Sequence, residues 1–360
     1  MIKLLVVDDS PLMRRLLTEI FTTAGDFAVT TARSGAEALE MLHEVAPDVV
    51  TLDVNMPEMN GLACLDRIMV FRPCPVVMVS SLTAAGADET LEALALGAVD
   101  FIAKPRGAVS LEIDALAPEL VDKVRAAASA RIPRTLRLRD RVRARAGVQP
   151  NPPQKRTRQR SSPAPVRMAA TGVVVVGSST GGPPALDALL GDLPADFPWP
   201  IVIAQHMPAS FTGPLSRRLD KLCAIQVSEI TRTTPLEPGH AYIGKGDADL
   251  ILSRRGSALV AMPAPINPAH FWHPSVDRLM ESGLRLLPAE SLIGVLMTGM
   301  GSDGAAAMAE LKERGGHTIA ESAETAVVWG MPGALVALGG ASAVRPLDQI
   351  AGALLALVGR

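Results

Sequence analysis

The sequence predicts an α/β protein made of two doubly wound parallel-sheet domains. Continuous apolar runs such as Ile2 to Val7 and Val173 to Val176 read as strands buried on both faces. These runs alternate with segments of helical periodicity, and βα repetition implies open parallel sheets with helices on both faces. The alternation stops near residue 130, gives way to an Arg/Pro-rich stretch and resumes near residue 172. A chain of 360 residues suits about two domains at roughly 150 residues each.

Hydrophobic residues make up 48% of the chain and the mean hydropathy is +0.25, so large cores are available and global disorder is excluded. Aromatics are only 3%, which leaves packing to Leu, Val, Ala and Met. A formal charge of -2 argues against a wholly basic nucleic-acid binder. Cys64, Cys74 and Cys223 have no paired spacing, so neither a disulfide framework nor a thiolate metal site follows, and a reducing cytoplasm fits. The opening Met-Ile-Lys-Leu-Leu-Val-Val-Asp-Asp carries two acids and reads as a strand, not a leader. No apolar run is long enough to span a membrane.

In the first domain, strands are expected at Ile2 to Val7, Phe27 to Ala32, Val49 to Leu52, Val76 to Val79 and Val99 to Ala103. Helices fall between them, at Leu12 to Thr22 and Gly35 to His43 among others. Function in such sheets collects at the carboxyl ends of the strands. Asp8 and Asp9 follow the first strand, Asp53 the third, Ser80 the fourth and Lys104 the fifth. Three clustered carboxylates repel one another unless a cation sits among them. Mg²⁺ suits oxygen ligands and keeps several waters. A carboxylate beside Mg²⁺ and a lysine can accept a phosphoryl group as an acyl phosphate.

These residues resemble the receiver domain of bacterial response regulators, over roughly residues 1–120. The resemblance implies a flavodoxin-like fold, with Asp53 as phosphoryl acceptor and Asp8, Asp9, Asp53 and the Asn55 carbonyl around Mg²⁺. It further implies phosphoryl contacts from Ser80 and Lys104, a cis Lys104–Pro105 bond, and Phe101 as the aromatic switch. Ser80 stands where Thr is frequent and keeps the hydroxyl.

Residues 121–170 are expected to hold the end of a helix and then a basic Pro/Arg-rich linker. From residue 131 to about 168, Asp140 is the only acid. A self-repelling tether is the plain reading, and contact with an acidic partner or anionic surface is the sharper one. Nucleic-acid binding lacks interleaved aromatics.

The second domain, residues 171–360, is organised around Gly172-Val-Val-Val-Val-Gly-Ser-Ser-Thr-Gly-Gly182, followed by a helix with Pro183 and Pro184 in its first turn. Strand, glycine-rich turn and helix in that order suit either a bound phosphate or an activated nucleophile. Gly177-Ser-Ser-Thr-Gly181 matches G-x-S-x-G with Ser179 in the middle, and Ser178 is the rival nucleophile. His206 follows a strand at Ile201 to Ala204. Asp303 follows a strand at Leu292 to Met297, where it is either a plain helix N-cap or an orienting carboxylate. If these strands are neighbours, a hydroxyl, an imidazole and a carboxylate converge as a triad requires. The order Ser, His, Asp disfavours an α/β-hydrolase topology. His270 and His273 flank Phe-Trp at i, i+3, but no cysteine lies near and the next acid is Asp277, so a metal pair is disfavoured.

The receiver, Gly-Ser-Ser-Thr-Gly-Gly, Gln-His-Met-Pro, His-Pro-Ser-Val-Asp277, Thr-Gly-Met-Gly-Ser-Asp-Gly and Val-Trp-Gly-Met-Pro-Gly together resemble the chemotaxis protein-glutamate methylesterase and protein-glutamine glutaminase family. The resemblance implies a Rossmann-like catalytic domain with a Ser179, His206, Asp303 triad, and it places Thr180 in the active site. Backbone N–H groups of the elbow and of the 298–301 loop, Met300 included, would hold the oxyanion. It also implies phosphorylation-activated hydrolysis of glutamate γ-methyl esters on chemoreceptors, deamidation of receptor glutamines, and a histidine kinase as phosphodonor. The esterase site would need no cofactor, and a cytoplasmic monomer without membrane insertion is expected. The chain departs from the family pattern at Ser178 (commonly Ala), Ser302 (usually Asn) and Glu321 (usually Gln), and the stretch around Asp249 lacks a histidine. Two alternatives remain: the same hydrolase in another chemosensory relay, and a non-catalytic binding regulator.

Overall fold

The structure is a computed structural model that describes residues 1–81, 83–104, 109–132 and 172–359. The basic linker and the Lys104–Pro105 bond lie outside the described residues. The chain divides into two compact units, Met1–Pro152 and Pro153–Arg360.

The first unit carries β1 (Ile2–Val7), β2 (Phe27–Ala32), β3 (Val49–Asp53), β4 (Val76–Ser80) and β5 (Asp100–Ala103). Every residue of β3 and β4 is buried, as two-sided coverage requires. The strands pair in parallel in the order β2-β1-β3-β4-β5. This order puts the topological switch point between β1 and β3, where a ligand crevice opens at the strand ends. The helices are α1 (Pro11–Ala24), α2 (Gly35–Val45), α3 (Gly61–Phe71), α4 (Ala84–Leu96) and α5 (Val109–Ala128). Ser10, Ser34, Asn60 and Thr83 cap the first four with side-chain oxygens, which fixes where each loop ends. Gly61 starts α3 so close to β3 that a Cβ there would run into the Asp53 carbonyl. The α5 helix runs past residue 120 and buries Leu120, Val124 and Ala127.

The second unit has a seven-stranded parallel sheet in the order β15-β14-β13-β6-β7-β10-β8. Its members are β6 (Val173–Ser178), β7 (Ile201–Gln205), β8 (Gln226–Ile230), β10 (His240–Gly244), β13 (Leu292–Leu296), β14 (His317–Glu321) and β15 (Ala343–Arg345). The helices are α6 (Gly182–Gly191), α7 (Ala209–Leu222), α8 (Val276–Leu284), α9 (Ala305–Glu313), α10 (Met331–Ala337) and α11 (Leu347–Val358). Helix α6 packs with α7 and α11, and α9 packs with α8 and α10. A small antiparallel sheet, β11-β12-β9, adds to the expected parallel architecture. It consists of β9 (Thr234–Pro235), β11 (Asp249–Arg255) and β12 (Ala258–Ala264). The β11–β12 hairpin turns at Arg255-Gly256-Ser257, where Gly256 has φ 61°.

Candidate functional site

In the first unit the switch point brings the acids together. Asp8 leaves β1, Asp53 ends β3, and one carboxylate oxygen from each of Asp8, Asp9 and Asp53 lies within 4.8 Å of the others. Asp8 and Asp53 are buried and Asp9 is exposed. Lys104, just after β5, donates to Asp53 Oδ2 at 2.7 Å and lies 3.2 Å from Asp8 Oδ2. Even so, Asp8 Oδ2 has no hydrogen-bond partner of proper geometry. Burial pushes the Asp53 carboxyl above its ordinary value and Asp8 adds to this, while Lys104 opposes it. Burial works against the Lys104 charge, but Asp53 and Asp8 outweigh it and hold the ammonium above its ordinary value. Three carboxylates against one ammonium fit a hard divalent cation.

The other expected receiver residues are placed less directly. The Asn55 N–H donates to Asp53 Oδ1 at 3.2 Å. Ser80 is buried, and its hydroxyl donates to Gly86 O in the first turn of α4 at 3.2 Å. Among the described residues no hydrogen bond joins Ser80 to Asp53. Phe101 is buried on β5, with Lys123 Nζ 5.6 Å above its ring.

In the second unit the three expected strands are neighbours. Strand β6 lies between β7 and β13, so the loops bearing Ser179, His206 and Asp303 leave the same edge side by side. Backbone bonds continue past the strands and fix these loops. The His206 N–H donates to Ser178 O at 3.0 Å, and the Ser179 N–H to Thr298 O at 2.9 Å. His206 Nε2 and Asp303 Oδ2 are 2.8 Å apart. His206 Nδ1 is buried and has no hydrogen-bond partner. No hydrogen bond joins Ser179 to His206 among the described residues.

Asp303 is not the N-cap of the helix that follows it. Gly304, at φ 88°, takes that position at the start of α9 without a side-chain bond. Asp303 instead crowns α8, accepting from Val276 N at 2.6 Å, Asp277 N at 3.2 Å and Ser275 Oγ at 2.9 Å. Burial would raise its pKa. The His206 hydrogen bond and charge, with these backbone donors, prevail and hold the carboxyl below its ordinary value.

The loop before α9 supplies a donor. The Met300 N–H makes no hydrogen bond among the described residues, whereas the Ser179 N–H is committed to Thr298. Thr298 binds three pieces together: its hydroxyl donates to Thr180 O at 2.8 Å and accepts from Val328 N at 3.0 Å, and its N–H donates to Glu321 Oε2 at 2.8 Å. Glu321 is fully buried, and that burial raises its pKa.

Several site residues were not singled out by sequence reasoning. Gln205 Nε2 donates to Ser179 O at 3.0 Å and to His206 O at 3.2 Å, and Ser178 Oγ donates to Gln205 Oε1 at 2.6 Å. Ser178 Oγ is thus committed to Gln205. Trp272 stacks on His206 with centroids 4.9 Å apart and planes 10° from parallel. Its neighbour His273 bonds Asp249 at 2.8 Å through Nδ1, and Asp249 also pairs with Arg278. His273 is thus committed to a structural pair, and among the described residues no metal cluster includes His270 or His273.

Residues 174–354 match the CheB methylesterase family model, and residues 4–113 match the response regulator receiver domain. A protein-glutamate methylesterase/protein-glutamine glutaminase of Rhodospirillum rubrum is 55% identical, over 100% of this chain and 97% of its own length. One from Rhodopseudomonas palustris is 53% identical, over 99% of this chain and 98% of its own. The crystal structure of the Thermotoga maritima CheB methylesterase catalytic domain aligns with a TM-score of 0.50 at 37% identity, covering 52% of this chain and 98% of that one. The two strand-end clusters, the matched segments and the end-to-end relatives agree, and the chain belongs to the CheB methylesterase family, with a receiver domain preceding the catalytic one.

Proposed function

We propose that the protein is a phosphorylation-activated protein-glutamate methylesterase and protein-glutamine glutaminase that acts on chemoreceptors during chemotactic adaptation. The observation that carries this is the convergence of three neighbouring strand ends on a serine, a histidine and an aspartate. Asp303 holds His206 through Nε2, which makes Nδ1 the nitrogen that takes the Ser179 proton. Ser179 Oγ attacks the γ-carbonyl of a glutamyl methyl ester. The oxyanion forms beside the Met300 N–H, a donor with no acceptor among the described residues. His206 returns its proton to the leaving methoxide, and methanol departs. Water, activated by the same imidazole, then hydrolyses the acyl-enzyme to glutamate. A glutamine carboxamide is nearly isosteric with the ester and follows the same path with loss of ammonia. No step of this chemistry uses a cofactor.

In the receiver, Asp53 is the phosphoryl acceptor and a histidine kinase the donor. Asp8, Asp9, Asp53 and the Asn55 carbonyl would hold Mg²⁺, which neutralises charge on the entering phosphoryl group. The gathering of these carboxylates around one ammonium supports this ligand set. Lys104 holds the Asp53 carboxylate in place. Ser80 turns to the phosphoryl group and Phe101 reports its arrival. The receiver spans residues 1–120 and the catalytic domain 171–360, joined by the basic tether. No helix among the described residues is long and apolar enough to cross a membrane. A cytoplasmic monomer acting on the cytoplasmic helices of receptors is the setting we propose. The test is methanol release from methylated receptor, which Ser179→Ala should abolish while leaving phosphorylation of Asp53 intact.

A further inference from the structure

The chain is poor in aromatics, with three Trp, one Tyr and seven Phe. Two of the three tryptophans nonetheless border the loops of the candidate active site. Trp272 covers one face of the His206 ring. Trp329 bridges to Gly299, beside Met300, and its indole N–H donates to Glu321 O at 3.0 Å. Phe271 packs edge-on against Trp272 at 4.9 Å between centroids, yet it is 80% exposed. Trp329 is 42% exposed. An exposed Phe packed on the tryptophan that stacks on His206, and a half-exposed Trp bridged to Gly299, give the site exposed apolar surface beside a serine that is only 7% exposed.

The rim is held firmly. The 265–275 loop that carries Phe271 and Trp272 is fastened by one buried carboxylate. Asp249 accepts from Asn267 N at 2.9 Å, from His273 Nδ1 at 2.8 Å and from Arg278, and Arg278 also donates to Pro265 O. Residues near both ends of the loop are thus tied to Asp249 directly or through Arg278, which restrains the stretch that carries the aromatic pair.

We infer that Phe271 and Trp329 grip the surface of the helix that carries the glutamyl ester. This rests on the esterase reading of the site. The ester itself sets the distance. A glutamate γ-carbonyl lies only about 4 Å from its own Cα, so the backbone of the substrate must come down almost onto Ser179. A helix is roughly 10–12 Å across with its side chains. It cannot deliver so short a side chain to a recessed serine without resting on whatever stands at the rim. Rigid aromatic side chains suit such contact, because they bring large area at little entropic cost.

The test is steady-state methanol release by the full-length protein, phosphorylated with a small phosphoryl donor and Mg²⁺, from a methylated chemoreceptor cytoplasmic fragment. Phe271→Ala and Trp329→Ala should each raise KM about tenfold, with kcat held within about twofold, since they remove binding made equally in ground and transition states. Phe271→Leu should recover most of the loss. An unchanged KM in both variants overturns the inference, as does a fall in kcat alone, which would mark a structural role. A rise in basal activity before phosphorylation, with KM unchanged, would show that the rim serves another part of this chain and also overturns it. If the wild type releases no methanol, the esterase reading itself fails, which is a separate result.

Discussion

Asp303 and Asp277 exchange helix caps. Asp303 accepts the N–H groups of Val276 and Asp277 at the start of α8, and Asp277 Oδ1 accepts the Ala307 N–H in the first turn of α9 at 2.9 Å. Each acid thus sits at the positive end of the other's helix, where a carboxylate is stabilised. The exchange locks the α8 and α9 N-termini together and sets Asp303 facing His206. Burial, together with the Asp303 charge, raises the Asp277 pKa.

Asp303→Asn should lower kcat by about 10³-fold or more, because an amide neither fixes the tautomer nor stabilises the imidazolium. Loss of the charged cap on α8 should also cost about 1 kcal/mol of stability. Methanol release and thermal melting measure the two effects separately.

The Asp303 pKa is lowered in the folded state, so its contribution to stability is complete above the ordinary value of 3.8. That contribution disappears as the pH falls through the lower, folded value. Acid melts of wild type and Asp303→Asn should therefore converge below pH 3.8, with the wild type the more stable above it.

Glu321 behaves in the opposite sense. Its folded pKa is raised above 4.5, so it favours the fold at low pH and weighs against it as the pH rises through the folded value. A glutamine can keep both partners, accepting from Thr298 N and donating to the Thr325 hydroxyl. Glu321→Gln should raise the melting temperature at neutral pH by about 2–4 °C, the shift that roughly 1 kcal/mol gives in a domain of this size. The gain should vanish near pH 4, and an equal gain at both pH values would contradict the account.

Ser178→Ala should retain turnover, because Ser178 braces Gln205 and does not attack the ester. It should cost about 1–3 kcal/mol in stability, since Gln205 Oε1 loses its donor. Abolished turnover in this variant would make Ser178 the nucleophile instead.

Mg²⁺ should raise the melting temperature of the receiver unit in the wild type, by mass action on the folded state. Asp8→Asn should remove most of that rise and lower phosphoryl incorporation at Asp53, leaving basal esterase activity unchanged. A melting temperature that responds to Mg²⁺ equally in both proteins would place the ion elsewhere.

Much of this was legible in the sequence, because strand ends in parallel sheets are short and marked. Continuous Val and Leu runs marked the central strands, and the candidate site residues stood one to three positions past them: Asp8, Asp53, Ser179, His206. What was hidden depends on long-range packing. The α8 N-terminus lies nearly 30 residues before Asp303, and only the fold brings them together. Trp272 sits between two histidines that drew attention as possible ligands, and nothing in its spacing announces a stack on His206. The strands between Gln226 and Ala264 mix buried with half-buried positions, as in the exposed, buried and intermediate run of β8, and they lack the apolar continuity that marks β6 or β13.

The most direct measurement is methanol release from methylated receptor membranes, comparing wild type and Ser179→Ala, each with and without a small phosphoryl donor and Mg²⁺. The account predicts release by wild type alone, increased by the donor, with the increase lost in Asp53→Ala. Release by Ser179→Ala, or none from wild type under any condition, would contradict it.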